Sequence, residues 1–282
     1  IFIRFQESVR GTDAFVLQSH TTPIYTWIME QLIMIDALKR ASAKRITVVV
    51  PFYGYSRQDK KHRGREPISA RLMADLFHTA GADRLMTVDL HTSQIQGFFD
   101  GPVDHLTAMP VLEKYVRANA SEGMVIVSPD AGRVKVAERF AQHLSDLNAD
   151  VAFINKRRPK GTTNVAVAKE VIGEVEGRLC ILTDDMIDTG GTIVSAAELL
   201  RERGATEVWA MATHGVLSGP AIERLEQSAI SRVVVTNTLP LAKDKSIDKI
   251  EVLSVAQILA DALAAVFDET SVSELFGGEN QA

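Results

Sequence analysis

Short β-branched runs alternate with longer stretches of helical period along most of the chain. The runs at 14–18, 46–51, 84–89, 124–128, 151–155, 179–183, 207–212, 232–236 and 250–253 predict strands. The stretches at 26–42, 68–80, 111–120, 134–147, 192–203, 220–226 and 255–267 carry apolar residues at helical spacing and predict helices. The strand runs are apolar almost throughout rather than alternating, and helices follow them. That combination predicts an α/β fold, a parallel sheet with helices on both faces. Gly81 and Gly204 stand where a residue just past a helix ends it. The segment 156–164, KRRPKGTTN, reads as a polar loop.

The pattern occurs twice. ADLFHTAGADRLMTVDLH at 74–91 aligns with AELLRERGATEVWAMATH at 197–214 at a constant separation of 123 residues. Ala, Leu, Gly, Ala and His recur at matching places, and Asp75 aligns with Glu198. Two halves on one helix–Gly–strand–His plan predict a duplicated α/β domain. The same separation sets Asp188–Thr192, DTGGT, against Arg65–Ser69, REPIS, and sets Asp184 and Asp185 against Lys61 and His62. An acidic, glycine-lined pocket is therefore expected in the second half alone.

Composition narrows the class. The chain has 282 residues, 46% of them apolar and 24% charged, as in an ordinary globular protein. A net charge of −5 argues against a nucleic-acid partner. The single cysteine, Cys180, lies in an apolar run and reads as a small buried hydrophobe. It excludes an internal disulfide and fits a reducing compartment, which predicts a cytoplasmic protein. No apolar run approaches the ~20 residues of a membrane-spanning helix, so no membrane partner is expected. The chain opens IFIRFQESV without Met and already strand-like, so its natural start is expected to lie upstream.

The densest chemistry lies in CILTDDMIDTGGTIVSAAELL at 180–200. An apolar strand runs into Asp184 and Asp185, then Asp188, Thr189, Gly190, Gly191 and Thr192, then a helix. A glycine turn entering a helix exposes backbone N–H groups at the positive end of the helix dipole, which suits phosphate. Thr189 and Thr192 add hydroxyl donors. The neighbouring acids repel phosphate, so they are expected to face neutral hydroxyls, such as a sugar diol, or a metal ion. Phosphate beside a diol is the chemistry of ribose 5-phosphate.

LTDDMIDTGGTI resembles the ribose-phosphate loop of the type I phosphoribosyltransferase fold. DLHTSQIQGFFDGPVD at 89–104 resembles the signature of the ribose-phosphate diphosphokinases, or PRPP synthetases, within that fold. YSRQDKKHRGREPIS at 55–69, SPDAG at 128–132, NKRRP at 155–159, ATHGVLSGPA at 212–221 and SVSELF at 271–276 agree with the same family, so the resemblance spans nearly the whole chain. It implies an incomplete N-terminal phosphoribosyltransferase-like domain at 1–106, a C-terminal one at 107–254 carrying the ribose-phosphate loop, and a helix and tail at 255–282 packing back on them. It also implies the reaction of ATP with ribose 5-phosphate to give 5-phosphoribosyl 1-diphosphate (PRPP) and AMP, in one diphosphoryl transfer.

The resemblance distributes roles over the residues. Asp188 to Thr192 would hold the 5-phosphate, while Asp184 and Asp185 would meet the ribose hydroxyls and help organise Mg²⁺. Lys156 and Arg158 fall in a flexible catalytic loop that closes over the ATP phosphates. Arg57 and Gln58 match an ATP-binding pair, and Lys60 adds a phosphate contact. His91 and Asp130 match the Mg²⁺ neighbourhood, with His91 also beside ATP. Because Mg²⁺ prefers oxygen, His91 is expected to work through a bound water. Its repeat partner His214 lacks the motif and reads as structural. Ser8, Arg10, Arg63, Arg65, Ser93, Gln96, Ser271 and Ser273 match a regulatory region that takes phosphate or ADP between subunits of a homo-hexamer. The family begins further upstream, with a segment that reaches the adenine of a neighbouring subunit. Arg133 follows SPDAG where many members carry a second glycine, and its role stays open between phosphate binding and solvent. Two other readings are a PRPP-consuming phosphoribosyltransferase and a non-catalytic regulatory homologue. The first lacks DLHTSQIQGFFD and the duplication, and the second has interrupted catalytic segments.

Overall fold

The computed structural model describes residues 1–157 and 168–278, with backbone alone at 156–157 and 168–169. The chain divides into two compact units. The first comprises Ile1–Ala108, Thr238–Pro240 and Val255–Ala282, and the second Met109–Asn237 and Leu241–Ser254.

The first unit is built on β1 (Asp13–Leu17), α1 (Ile24–Arg40), β2 (Arg45–Val50), α2 (Ser69–Ala80), β3 (Arg84–Val88) and β4 (Val103–Leu106). Its sheet runs β1-β2-β3-β4 with every pairing parallel. β2 is buried at every position after Arg45, as a strand covered on both faces must be. α1 presents Ile28, Gln31, Ile35 and Leu38 inward at helical spacing, and Lys39 and Arg40 complement the dipole in its last turn.

The second unit adds α3 (Met109–Asn119), β5 (Val125–Ser128), α4 (Val134–His143), β6 (Asp150–Arg157), β7 (Ala168–Ile172), β8 (Leu179–Ile187), α5 (Gly191–Glu202), β9 (Glu207–Gly215), α6 (Ala221–Gln227), β10 (Arg232–Thr236) and β11 (Ile250–Leu253). The order is β11-β10-β9-β8-β5-β6-β7, parallel except for the β6–β7 hairpin at the edge. One core, with Leu182, Ala196 and Leu200, fills the space under α5. Another, with Phe140, Ile181 and Trp209, covers the opposite side of the sheet. α7 (Ala256–Phe267) then packs on the first unit, where Ala262 and Val266 join Val49, Met86 and Leu106.

Predicted and observed elements agree to within a few residues, with four differences. Residues 1–9, read as already strand-like, contain no strand. β4 was hidden by Asp104 and His105, whose polarity is answered by neighbours. Arg84 Nη1 meets Asp104 at 2.8 Å, and His105 Nε2 accepts from Leu90 N at 2.8 Å. β7, AKEVI, is a charged edge strand, a common guard against further pairing. Finally, β8 does not stop at Thr183 but runs to Ile187, because β9 pairs with it as far as Gly215.

That extension corrects part of the repeat. Thr47 pairs with Arg84 in the first unit and Leu179 with Glu207 in the second, while Arg84 and Glu207 themselves stand 123 residues apart. The separation is thus 132 at the strand and 123 at the next strand, so the first half carries nine more residues between them. By strand register, Asp184 and Asp185 correspond to Phe52 and Tyr53, not to Lys61 and His62. Where the second half has an acid pair, the first has aromatics, with Tyr53 fully buried against His20 and Phe77.

Candidate active site

The site in the second unit grows from the end of β8. The burial pattern along this strand is continuous to Thr183 and alternates from Asp184 onward, so the strand emerges from its helical cover at the acids. Asp184 is partly exposed and Asp185 is buried. The Asp184 Oδ1 atom accepts from the backbone N–H of Asp185 at 2.9 Å. Burial, and then the neighbouring Asp185 carboxylate, push the Asp184 carboxyl up to about 8, with Arg133 opposing them.

Arg133 is the partner that the sequence left open. Its Nε lies 3.2 Å from Asp184 Oδ1 and its Nη2 lies 3.0 Å from Asp185 Oδ2, so one guanidinium spans both acids. Arg133 ends the short turn Ala131–Arg133 that follows Asp130. Asp130 Oδ1 caps that turn by accepting from Gly132 N at 2.9 Å, and Ser128 Oγ donates to Asp130 O at 2.6 Å. The same turn therefore carries the expected metal neighbour and the arginine that crosses the acid pair.

Past β8 the chain turns through Asp188 and Thr189 to Gly190, whose φ of +75° belongs to the left-handed region that favours glycine, and enters α5. A second layer fixes this turn. Ser218 Oγ donates to Asp188 Oδ1, Ser218 N donates to Asp188 O at 3.0 Å, and Leu217 N donates to Ile187 O at 3.0 Å. Arg224 Nη1 donates to Thr189 O at 3.0 Å. Thr189 and Thr192 are exposed at the rim. The turn thus presents the free N–H groups of a helix start beside two acids, an arrangement suited to a sugar phosphate. Ser218 and Arg224 were not singled out from the sequence. Ser218 lies in the ATHGVLSGPA block, which does not say where its serine points, and Arg224 lies three residues beyond that block.

The other candidates lie on other segments of the chain. Lys156 is on β6, and Arg158 lies outside the described residues. In the first unit Arg57, Gln58 and Lys60 are exposed on the segment between β2 and α2. Buried Asp59, missed from the sequence, ties that segment down by accepting from Thr92 Oγ1 at 2.8 Å and Gln94 Nε2 at 2.9 Å. His91 follows Leu90, whose amide is held by His105. Arg63 is ordered by Glu66, whose Oε2 accepts from Arg63 N at 3.0 Å and His62 N at 2.8 Å. Ser8, Arg10, Arg63, Arg65, Ser93, Ser271 and Ser273 are exposed, and Gln96 Nε2 donates to Ser93 O at 3.2 Å. His214 is buried within β9. Cys180 is fully buried, and burial pushes its thiol up to about 12, as expected of an inert core residue. Among the described residues no helix is long and apolar enough to cross a membrane, and no group of three or more His, Cys, Asp or Glu is arranged to hold a metal ion.

Residues 1–81 match the family model described as the N-terminal domain of ribose phosphate pyrophosphokinase, and residues 142–277 match the phosphoribosyl synthetase-associated domain. The ribose-phosphate pyrophosphokinase of Streptomyces avermitilis is 61% identical over 277 residues, covering 98% of this chain and 85% of that protein. That of Mycobacterium tuberculosis is 59% identical over 280 residues, covering 99% and 85%. The crystal structure of phosphoribosylpyrophosphate synthetase from Mycobacterium smegmatis superposes with a TM-score of 0.89 at 59% identity, covering 95% of this chain and 87% of that one. With the strand–acid–glycine turn in place and identity sustained across nearly its whole length, the chain belongs to the ribose-phosphate pyrophosphokinase family.

Proposed function

We propose that the Asp188–Thr192 turn holds the 5-phosphate of ribose 5-phosphate and that Asp184 and Asp185 grip its hydroxyls, in the family's transfer of a diphosphoryl group from ATP. The anomeric hydroxyl oxygen bonds to the β-phosphorus, the bond between that phosphorus and the bridging oxygen to the α-phosphorus breaks, and AMP leaves. The hydroxyl proton is released and PRPP is formed. The observation that carries the assignment is the left-handed Gly190 turn opening α5 directly beside the acid pair.

In such a transfer the protein chiefly positions the reactants and neutralises charge. Ser218 and Arg224 hold the phosphate turn. Arg57, Gln58 and Lys60 are assigned to ATP, together with His91, and Asp59 anchors their segment. Lys156 and Arg158 are assigned to the charge that spreads over the transferred group. Mg²⁺ suits the donors present, since Asp130, Asp184 and Asp185 are hard oxygen ligands that leave room for water and substrate phosphates. The acid pair would hold it, with its remaining ligands drawn from water and substrate, and Asp130 and His91 are assigned to the Mg²⁺ neighbourhood. Bound there, it would neutralise phosphate charge.

The exposed basic positions Arg10, Arg63 and Arg65, with Ser8, Ser93, Gln96, Ser271 and Ser273, are assigned to regulation by phosphate or ADP in a homo-hexamer. The cytoplasm is the proposed location, supported by the buried free thiol. The test is the nucleotide product formed from ATP, Mg²⁺ and ribose 5-phosphate. AMP with equimolar PRPP is expected, with Asp188→Ala and Asp185→Asn raising KM for ribose 5-phosphate. ADP as the product would overturn the reaction, and unchanged KM values would overturn the residue assignments.

A further inference from the structure

The acid pair already holds a cation. Arg133 places a planar two-donor fork across Asp184 and Asp185, contacting one oxygen of each at 3.2 and 3.0 Å, and its side chain is only 19% exposed. Two adjacent, largely buried carboxylates repel each other strongly, and removing one partner from such a cluster leaves charge uncompensated. No third His, Cys, Asp or Glu completes a metal cage there among the described residues. A divalent ion at the pair must therefore draw its remaining ligands from water and substrate.

Resting on the assignment above, we infer that Arg133 is a built-in counter-ion of the acid pair, which a divalent cation arriving with substrate displaces. Two consequences follow from the position of Arg133 in the chain. A bare divalent ion binds the free protein weakly, because it competes with a tethered guanidinium already in place. Displacement also pulls on the turn capped by Asp130, since Arg133 closes that turn and immediately precedes α4. Cation entry at Asp184–Asp185 is thereby coupled to the position of the Asp130 carboxylate. Arg133 is a positioning residue in this scheme and takes no part in bond making.

The test measures Mn²⁺ binding to the full chain without nucleotide, by electron paramagnetic resonance, in wild type, Arg133→Lys and Arg133→Met. Removing the competing charge should tighten binding about tenfold in Arg133→Met, a factor equivalent to about 1.4 kcal/mol. Arg133→Lys, a single donor that cannot span both acids, should fall in between. If Arg133→Met does not fold, the Lys variant against wild type decides. Adding Asp185→Asn to the tighter variant should abolish the gain. Equal affinities across the series, or a gain that survives Asp185→Asn, would overturn the inference. Ribose 5-phosphate binding to Asp185→Asn separates the two levels. Lost binding with no Mn²⁺ effect at Arg133 sinks the inference and leaves the site assignment standing, whereas intact binding sinks both.

Discussion

The turn at Gly190 allows a paired substitution whose outcomes the structure separates. Gly190 has φ +75°, and a Cβ placed there would lie 3.6 Å from Ala221 Cα and O and 3.8 Å from Arg224 Cβ. Those are ordinary contacts, so Gly190→Ala suffers no clash. Its cost is conformational, about 1–2 kcal/mol for an L-residue in the left-handed region. Reduced freedom of the unfolded chain offsets about 0.4–1 kcal/mol of that. The net loss is about 1 kcal/mol. Gly191 begins α5 without a positive φ, and a Cβ there would sit 3.3 Å from Arg224 Nη1, the far end of a flexible side chain. Gly191→Ala gains up to about 1 kcal/mol of helix propensity and weakens the Arg224–Thr189 hydrogen bond, worth about 0.5–1.5 kcal/mol. Its net effect is near zero. Urea unfolding followed by Trp209 fluorescence reads the second unit, with Trp27→Phe removing the other tryptophan. Ribose 5-phosphate binding should weaken in Gly190→Ala, because the amide cradle must rearrange. If Gly190→Ala is as stable as wild type while Gly191→Ala is not, the left-handed turn is not where the phosphate cradle is made.

Three further outcomes follow. Ser218→Ala frees the Asp188 carboxylate and should raise KM for ribose 5-phosphate about three- to tenfold with kcat nearly unchanged, the value of one hydrogen bond. On their proposed role at the transferred charge, Lys156→Met and Arg158→Met should each lower kcat about a hundredfold in steady-state assays while thermal midpoints stay put. Burial lowers His20 from 6.5 to about 4, against a smaller raising effect from Gln31, so the folded protein keeps this histidine neutral where the unfolded chain protonates it. Its contribution is complete above pH 6.5 and declines as pH falls toward 4, by about 3 kcal/mol in all. A His20→Gln variant should show a flatter loss of stability over that range, and an identical slope would refute the assignment.

Much of the architecture was legible because it is written locally. Among the described residues, continuous apolar runs and helical spacing located nine of the strands and all seven α-helices, since a strand covered on both faces and a helix with one buried stripe leave those patterns directly. The glycine turn at Asp188–Thr192 was legible for the same reason: a glycine able to take φ +75° sits next to the helix it opens. β4 and β7 were not, because their polar residues are satisfied by distant partners, Arg84 with Asp104 in one case and a solvated edge in the other.

What the amino-acid order alone determined was the kind of elements and the chemistry available at the end of β8. The tertiary structure decided how that chemistry is arranged. β9 holds the acids inside a strand through hydrogen bonds that no pattern around residue 184 records. A loop longer by nine residues in the first half shifted the acids' counterparts to Phe52 and Tyr53. Arg133, some fifty positions away in the chain, supplies the charge that the acid pair requires. Periodicity reports burial of neighbouring residues, whereas charge pairing in a site depends on which turns the sheet order brings together.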